Sequence, residues 1–173
     1  MENIRLVTER LIIRNPNMDD LDNWHKLLSD GYNMRFLRDI RTQYKSESRK
    51  NLIDAISDIC NPDRIRFFLA METHDGDFIG SIGFTVLPSQ ERRVHMGYFL
   101  LPEHHGRGYA TEGVLAILKF AFDDLGVEIV QTGANLENKA SIRVMEKAGL
   151  CRVRQSTERV EYEVRVGAAT GRP

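Results

Sequence analysis

Gly106 and Gly108 stand in the stretch His104-His105-Gly106-Arg107-Gly108-Tyr109-Ala110-Thr111-Glu112, between an apolar run and a helical one. The start of a helix exposes N–H groups with no partner inside the helix and carries the positive end of the helix dipole. A glycine-bearing turn leading into it can wrap a phosphate, because main chain without a β-carbon can approach closely. Glu112, in the first turn, suits the same dipole. The chemistry expected is therefore anion binding by main-chain donors. The alternative is a tight turn in which the glycines only start a helix, and these two residues do not separate the readings. No GxxxxGK(S/T) lysine is present, which argues against a nucleotide-phosphate loop of that type.

Other reactive side chains are scattered. His104 and His105 are adjacent, His25 and His74 fall in separate elements, and none forms an i, i+4 pair with a carboxylate, so no metal site is expected. Cys60 and Cys151 lack CxxC spacing and are expected as reduced, small core residues.

The elements that must position the glycine turn follow from periodicity. Residues 5–14 alternate apolar and polar and stop at Asn15-Pro16-Asn17, which predicts a first strand and a turn. Asp19 or Asp20 can then cap a helix bearing Leu21, Trp24, Leu27 and Leu28 on one face, with Trp24 as a core anchor. A second helix is predicted over 46–59, capped by Ser46 or Ser48, with Leu52, Ile53, Ile56 and Ile59 as its stripe. The gap between these helices, 31–45, is the longest in the chain and is expected to face substrate.

Runs 66–73 and 78–86 flank Asp75-Gly76 and should pair as an antiparallel hairpin. After a turn over 87–91, a third strand over 94–101 completes a meander. A helix over 108–125 ended by Gly126, a buried strand over 127–134, a helix over 138–148 ended by Gly149, and strands over 150–154 and 159–166 follow. The order predicts one mixed α/β domain over 1–166, with a central sheet of six to seven strands and about four helices on both faces. The helical crossover should make 94–101 and 127–134 parallel. The tail, 167–173, is expected to be unstructured.

Bulk properties narrow the partners. Across 173 residues, 24 basic side chains oppose 25 acidic ones, so no basic field argues for nucleic acid. An apolar fraction of 42% suffices for one core, while no window reaches the 18 to 20 continuous apolar residues of a membrane span. With no visible leader either, a cytoplasmic protein without a membrane partner is expected.

The glycine segment closely resembles the phosphate-binding motif of the GNAT acetyltransferases. That motif ends GxGxA or GxGYAxEA after a strand often reading IGY; here the strand reads His95-Met96-Gly97-Tyr98-Phe99-Leu100. Downstream, the run from Asn138 through Ser141, Val144, Glu146, Lys147 and Gly149 to Leu150 resembles the family's NxxSxxVxEKxGF signature, with Leu150 in place of the aromatic. The opening Thr8-Glu9-Arg10-Leu11-Ile12-Ile13-Arg14 resembles the ribosomal-protein N-terminal (Rim-type) branch, so the likeness spans nearly the whole chain.

The resemblance implies an acetyl-coenzyme A dependent N-acetyltransferase acting on a primary amine, such as a protein N-terminus, by direct attack in a ternary complex. A small-molecule amine acceptor and a non-catalytic coenzyme A binding domain are the alternatives. It implies that Phe99, Leu100 and Leu101 lie beside the pantetheine arm, in a gap between two splayed parallel strands. The diphosphate would accept N–H bonds from His105, Gly106, Arg107, Gly108, Tyr109 and Ala110, with Thr111 adding a hydroxyl. Asn138 would bond the pantetheine or a substrate-side group. The Arg107 side chain either pairs with a phosphate or is solvated. A homodimer is common among relatives.

Two departures touch the chemistry. The tyrosine often found seven residues after the asparagine is Met145 here, which leaves Ser141 as the hydroxyl on that helix, either an acid for the leaving thiolate or only a helix-starting residue. Relatives often carry a glutamate where His95 stands; His95 is the candidate base, or else a surface histidine. The connection over 155–158 is short for the family.

Overall fold

A computed structural model describes residues 3–87 and 92–167. In chain order the elements are β1 (Arg5–Val7), β2 (Leu11–Arg14), α1 (Leu21–Ser29), α2 (Lys45–Ser57), β3 (Arg66–Thr73), β4 (Phe78–Val86), β5 (Arg93–Leu100), α3 (Tyr109–Asp123), β6 (Ile129–Asn135), α4 (Lys139–Lys147), β7 (Cys151–Gln155) and β8 (Arg159–Arg165). The described strands form one sheet in the order β1-β2-β3-β4-β5-β6-β8-β7. Among the described strands only β5 and β6 pair in parallel, as the helical crossover through α3 requires.

Eight strands are described in the sheet, rather than the six to seven expected. The run over 5–14 breaks at Thr8, whose Oγ1 accepts from the Leu11 N–H at 2.9 Å, and its halves pair as a hairpin with Leu6 opposite Ile13. A side chain that offers main chain a local partner competes with a continuous strand. At the other end, Asp75-Gly76 turns as expected: Gly76 takes φ +90°, and the Thr73 N–H donates to the Asp77 carbonyl at 2.9 Å.

Helix starts depart from expectation in a consistent way. Asn17, not Asp19 or Asp20, caps the first turn, accepting from the Asp19 N–H at 2.8 Å. Asp20 instead accepts from the Asn17 N–H and ion-pairs with Arg14. Before α2, Glu47 accepts from the main-chain N–H of Gln43 and Tyr44, so neither Ser46 nor Ser48 caps it. Ser48 is buried, bonded to Thr42 Oγ1 at 2.6 Å and to His25 Nδ1 at 2.9 Å. That network pins the end of the 31–45 segment, which holds two short 3-10 turns, to α1 and α2.

Helices cover both faces. On one face Ile117 of α3 and Met145 of α4 share a core with Leu11, Ile13, Met71, Ile82, Phe84, Val94, Met96 and Tyr162; on the other, Trp24, Leu27 and Leu28 of α1 and Leu52 of α2 share one with Phe78 and Leu101. Trp24 is a core anchor, its indole N–H bonded to Asn51 at 2.9 Å. On α2, Leu52 and Ala55 are buried and Ile53 is exposed. Cys60 and Cys151 are exposed, contrary to expectation, because one ends a surface turn and the other opens the edge strand β7. The turn expected over 87–91 and the tail expected over 167–173 lie outside the described residues, apart from Leu87, whose N–H donates to Arg93, and Gly167.

Candidate active site

Parallel pairing between β5 and β6 runs only from Arg93 opposite Ile129 to His95 opposite Gln131. Beyond that point β6 pairs with β8 as far as Asn135, and a gap opens beside the second half of β5. The Leu101 N–H and the Arg93 carbonyl both bond on the β4 side, whereas the Arg92 carbonyl accepts from the Ile129 N–H on the β6 side. Main-chain groups alternate along a strand, so Met96, Tyr98 and Leu100 turn theirs toward the gap. The Leu100 carbonyl there accepts from Asn33 Nδ2 at 2.8 Å and from His105 Nε2 at 3.0 Å, which requires the Nε2–H tautomer.

The chain then passes through a 3-10 turn, Pro102–His104, and enters α3 by way of two left-handed residues, Gly106 at φ +74° and Gly108 at φ +84°. An L side chain resists that conformation, which explains both glycines more directly than crowding does. Gly108 is the N-cap and no side chain caps the helix. The first helical bond is Glu112 N–H to the Gly108 carbonyl at 3.1 Å, leaving the N–H groups of Tyr109, Ala110 and Thr111 without intrahelical acceptors.

These donors open on a groove of about 470 Å³. Its lining includes Tyr98, Phe99, Leu100, His105, Gly106, Gly108, Tyr109, Ala110, Thr111, Asn138 and Ser141, together with Tyr32, Arg35 and Phe36 from the 31–45 segment. Leu101 does not line it: the strand's alternation buries that side chain against α1, and its N–H is taken by Ile79. The Arg107 side chain does not line it either. Glu112 would repel an anion at this helix start if it were unpaired. Partial burial pushes its carboxyl up, but bonds from Thr8 and Arg10 outweigh that and hold it below the usual range.

On α4, Asn138 Oδ1 accepts from the Ser141 N–H at 3.2 Å and so caps the helix. Tyr98 Oη donates to the Ser141 carbonyl at 3.0 Å and sits 2.9 Å from Ser141 Oγ. Burial pushes the phenol up to about 12, with the Ser141 bond opposing, so Tyr98 keeps its proton. Met145 is fully buried in the core.

His95 lies on the opposite face of β5 from Tyr98 and does not share the groove with Ser141. It lines a separate hollow of about 140 Å³ with Gln131, Arg159, Glu161 and Glu163. Partial withdrawal from water and the positive charge of Arg159 lower its pKa, while Glu161 opposes. Neutral imidazole therefore dominates at pH 7. Among the described residues, no group of three or more His, Cys, Asp or Glu could hold a metal ion, and no helix is long and apolar enough to cross a membrane.

Residues 10–150 match the family described as acetyltransferase (GNAT) domain. The chain belongs to the GNAT family. It is similar to the uncharacterised N-acetyltransferase p20 of Bacillus licheniformis, 26% identical over 152 residues and 85% of each chain. Spermidine N-acetyltransferase from Vibrio cholerae, solved with CoA and spermine, matches with a TM-score of 0.83 at 16% identity, over 95% of this chain and 100% of that one. A Vibrio cholerae structure provisionally described as a ribosomal-protein-serine acetyltransferase matches at 0.74 and 13% identity, over 95% and 99%. At such identities the two structures speak to the fold alone.

Within this GNAT domain, sequence reasoning missed three residues. Tyr98 was legible as a strand position of the same parity as Met96 and Leu100, hence on the α4 side. Glu161 shares the parity of Glu163 on β8, where the odd-numbered side chains are exposed or half-buried. Arg10 carried no local signal, since its partners are 97 and 102 positions away.

Proposed function

We propose that this GNAT enzyme transfers the acetyl group of acetyl-coenzyme A to a primary amine by direct attack in a ternary complex, and that the acceptor is a protein N-terminal amine. The observation that carries the reading is the uncapped start of α3 opening on the same groove as the gap beside β5. A diphosphate fits the donors there: bonds from N–H groups to charged oxygens contribute about 1.5 to 3 kcal/mol each, enough for several together to hold it. In this reading His105, Gly106, Arg107, Gly108, Tyr109 and Ala110 bind by main chain and Thr111 by its hydroxyl. Phe99 and Leu100 flank the pantetheine arm, and Asn138 and Ser141 border it.

Acetyl-coenzyme A, when bound, supplies an acetyl group activated as a thioester. The N–H groups of Tyr98 and Leu100, turned into the gap, are placed to polarise a carbonyl oxygen there. The gap opens where β5–β6 pairing ends at His95, and from that side a ring nitrogen of His95, unprotonated at neutral pH, takes the proton of the acceptor ammonium. Ser141 Oγ is the proton donor toward sulfur, a modest task because a thiol pKa near 8.5 makes the thiolate a tolerable leaving group.

An N-terminal amine, with a pKa near 8, is about one-tenth neutral at pH 7, whereas a lysine near 10.4 is neutral only at the level of a few in ten thousand. A weakly basic helper such as His95 thus suits the former. The second reading is a small cationic amine, favoured by the modest hollow and by the carboxylate of Glu161 in its wall. Coenzyme A thiol release, measured with acetyl-coenzyme A and a panel of peptides, polyamines and aminoglycosides, tests both. Peptide-dependent release with acetylation at the N-terminus by mass spectrometry supports the first, release with polyamines or aminoglycosides alone the second, and no release with any amine overturns both.

A further inference from the structure

We infer that Arg10 is a positioning residue of the phosphate loop, which it holds from outside by the Arg107 carbonyl so that the Gly108 N–H is aimed into the groove; this rests on reading that groove as the diphosphate site.

Arg10 lies in the turn between β1 and β2, far from the loop in sequence. Its Nη1 donates to the Arg107 carbonyl at 2.9 Å. Its Nε and Nη2 grip Glu112 Oε2 at 2.7 and 2.6 Å, and its main-chain N–H donates to Glu112 Oε1 at 2.8 Å. Thr8 Oγ1 completes the carboxylate's shell at 2.6 Å. The guanidinium also lies 4.8 Å from the centre of the Tyr109 ring.

The consequence comes from peptide geometry. The Arg107 carbonyl and the Gly108 N–H belong to one planar unit, and in a trans peptide they point in opposite directions. All described peptides are trans. Drawing the carbonyl toward Arg10 therefore turns the N–H away from it, and Gly108 lines the groove while the Arg107 side chain does not. Left to itself this peptide is poorly determined: glycines on either side of Arg107 sample left- and right-handed conformations with similar ease. A lock from another element removes that freedom before the ligand arrives, so less ordering is left to be done on binding. The planar fork suits the task, because one face of the guanidinium edge engages Glu112 while the remaining N–H reaches the carbonyl; an ammonium cannot span both in fixed geometry.

The test uses the full chain with Arg10→Ala and Arg10→Lys. Calorimetry with coenzyme A should show affinity falling about ten-fold or more in Arg10→Ala, the scale of one charge-assisted bond. Affinity for pantetheine, which lacks the diphosphate, should be unchanged by NMR titration, and KM for acetyl-coenzyme A should rise with kcat held. Arg10→Lys, which keeps the charge and folds with less disturbance, should recover only part of the loss. In wild type the Gly108 amide should shift in a ¹⁵N correlation spectrum on adding coenzyme A, and in Arg10→Lys it should broaden before ligand is added. Equal coenzyme A affinity in wild type and variants, full recovery by lysine, or an equal loss of pantetheine affinity would overturn the inference. Absence of coenzyme A binding by the wild type would instead remove the diphosphate reading on which it stands.

Discussion

Tyr98 Oη stands 2.9 Å from Ser141 Oγ while donating to the Ser141 carbonyl at 3.0 Å. A carbonyl only accepts, and a phenol has one proton, so while that proton serves the carbonyl the serine hydroxyl donates to Tyr98. Turning the Ser141 hydroxyl toward the groove breaks that bond to Tyr98 Oη, unless the phenol proton turns to Ser141 Oγ in its place. Its role as a donor in the reaction is thus coupled to a half-buried tyrosine on the neighbouring strand. Ser141→Ala should lower kcat about ten-fold, in keeping with a thiolate that departs readily, with KM for acetyl-coenzyme A little changed. Tyr98→Phe should lower kcat in the same direction and cost about 1 kcal/mol of stability in urea denaturation. The double variant should be no slower than Ser141→Ala, and additive losses would show that the two act separately.

Gly106 and Gly108 can be separated by what surrounds them. A β-carbon at Gly106 meets nothing within 4 Å, and one at Gly108 would come within 3.3 Å of Arg10 Nη2. Gly106→Ala should therefore act only through its left-handed φ, at about 1 to 2 kcal/mol. Gly108→Ala should add a displaced Arg10 and weaken coenzyme A binding more, as read by calorimetry.

The pH profile tests His95. Its pKa lies below that of a free imidazole, near 6.5, so the limb of kcat/KM that depends on its deprotonation should have its midpoint below pH 6.5. His95→Gln should abolish that limb and lower kcat/KM by about a hundred-fold at pH 7. Removing the charge with Arg159→Ala should move the limb to higher pH. For stability the sign is that of a depressed folded-state pKa: the contribution is full above about pH 6.5 and is lost as pH falls through the lower folded value.

Leu101 offers a contrast between packing and binding. At 2% exposure among Trp24, Leu27 and Phe78, Leu101→Ala should cost about 2 to 5 kcal/mol in denaturant unfolding. Coenzyme A affinity, measured well below the unfolding midpoint, should stay within about two-fold of wild type, since even one lost bond to a charged group is a larger effect.

What could be read without coordinates is what is encoded locally. Alternation and three-to-four spacing marked most strands and the four described α-helices, Asp75-Gly76 marked its hairpin, and the glycine turn ahead of α3 marked the donors, because each signal lies within a few residues of its effect. Even so, Thr8 split a strand that alternation alone made continuous, and Asn17 and Glu47 took capping roles assigned to neighbours. Short polar side chains near a helix start compete for the same few N–H groups, and only the path of the chain decides among them.

Tertiary packing decided the rest. That His95 and Ser141 face different cavities follows from the parity of β5 relative to the helix layers, and one bond, Leu101 N–H to Ile79, fixes that parity. The exposure of Cys151 follows from β7 being an edge strand. The grip of Arg10 on Arg107 and Glu112 joins groups separated by 97 and 102 positions, a juxtaposition that no periodicity can announce. Residue types and spacing are properties of one segment, whereas a site is made where segments meet, and which ones meet is set by burial of the whole core.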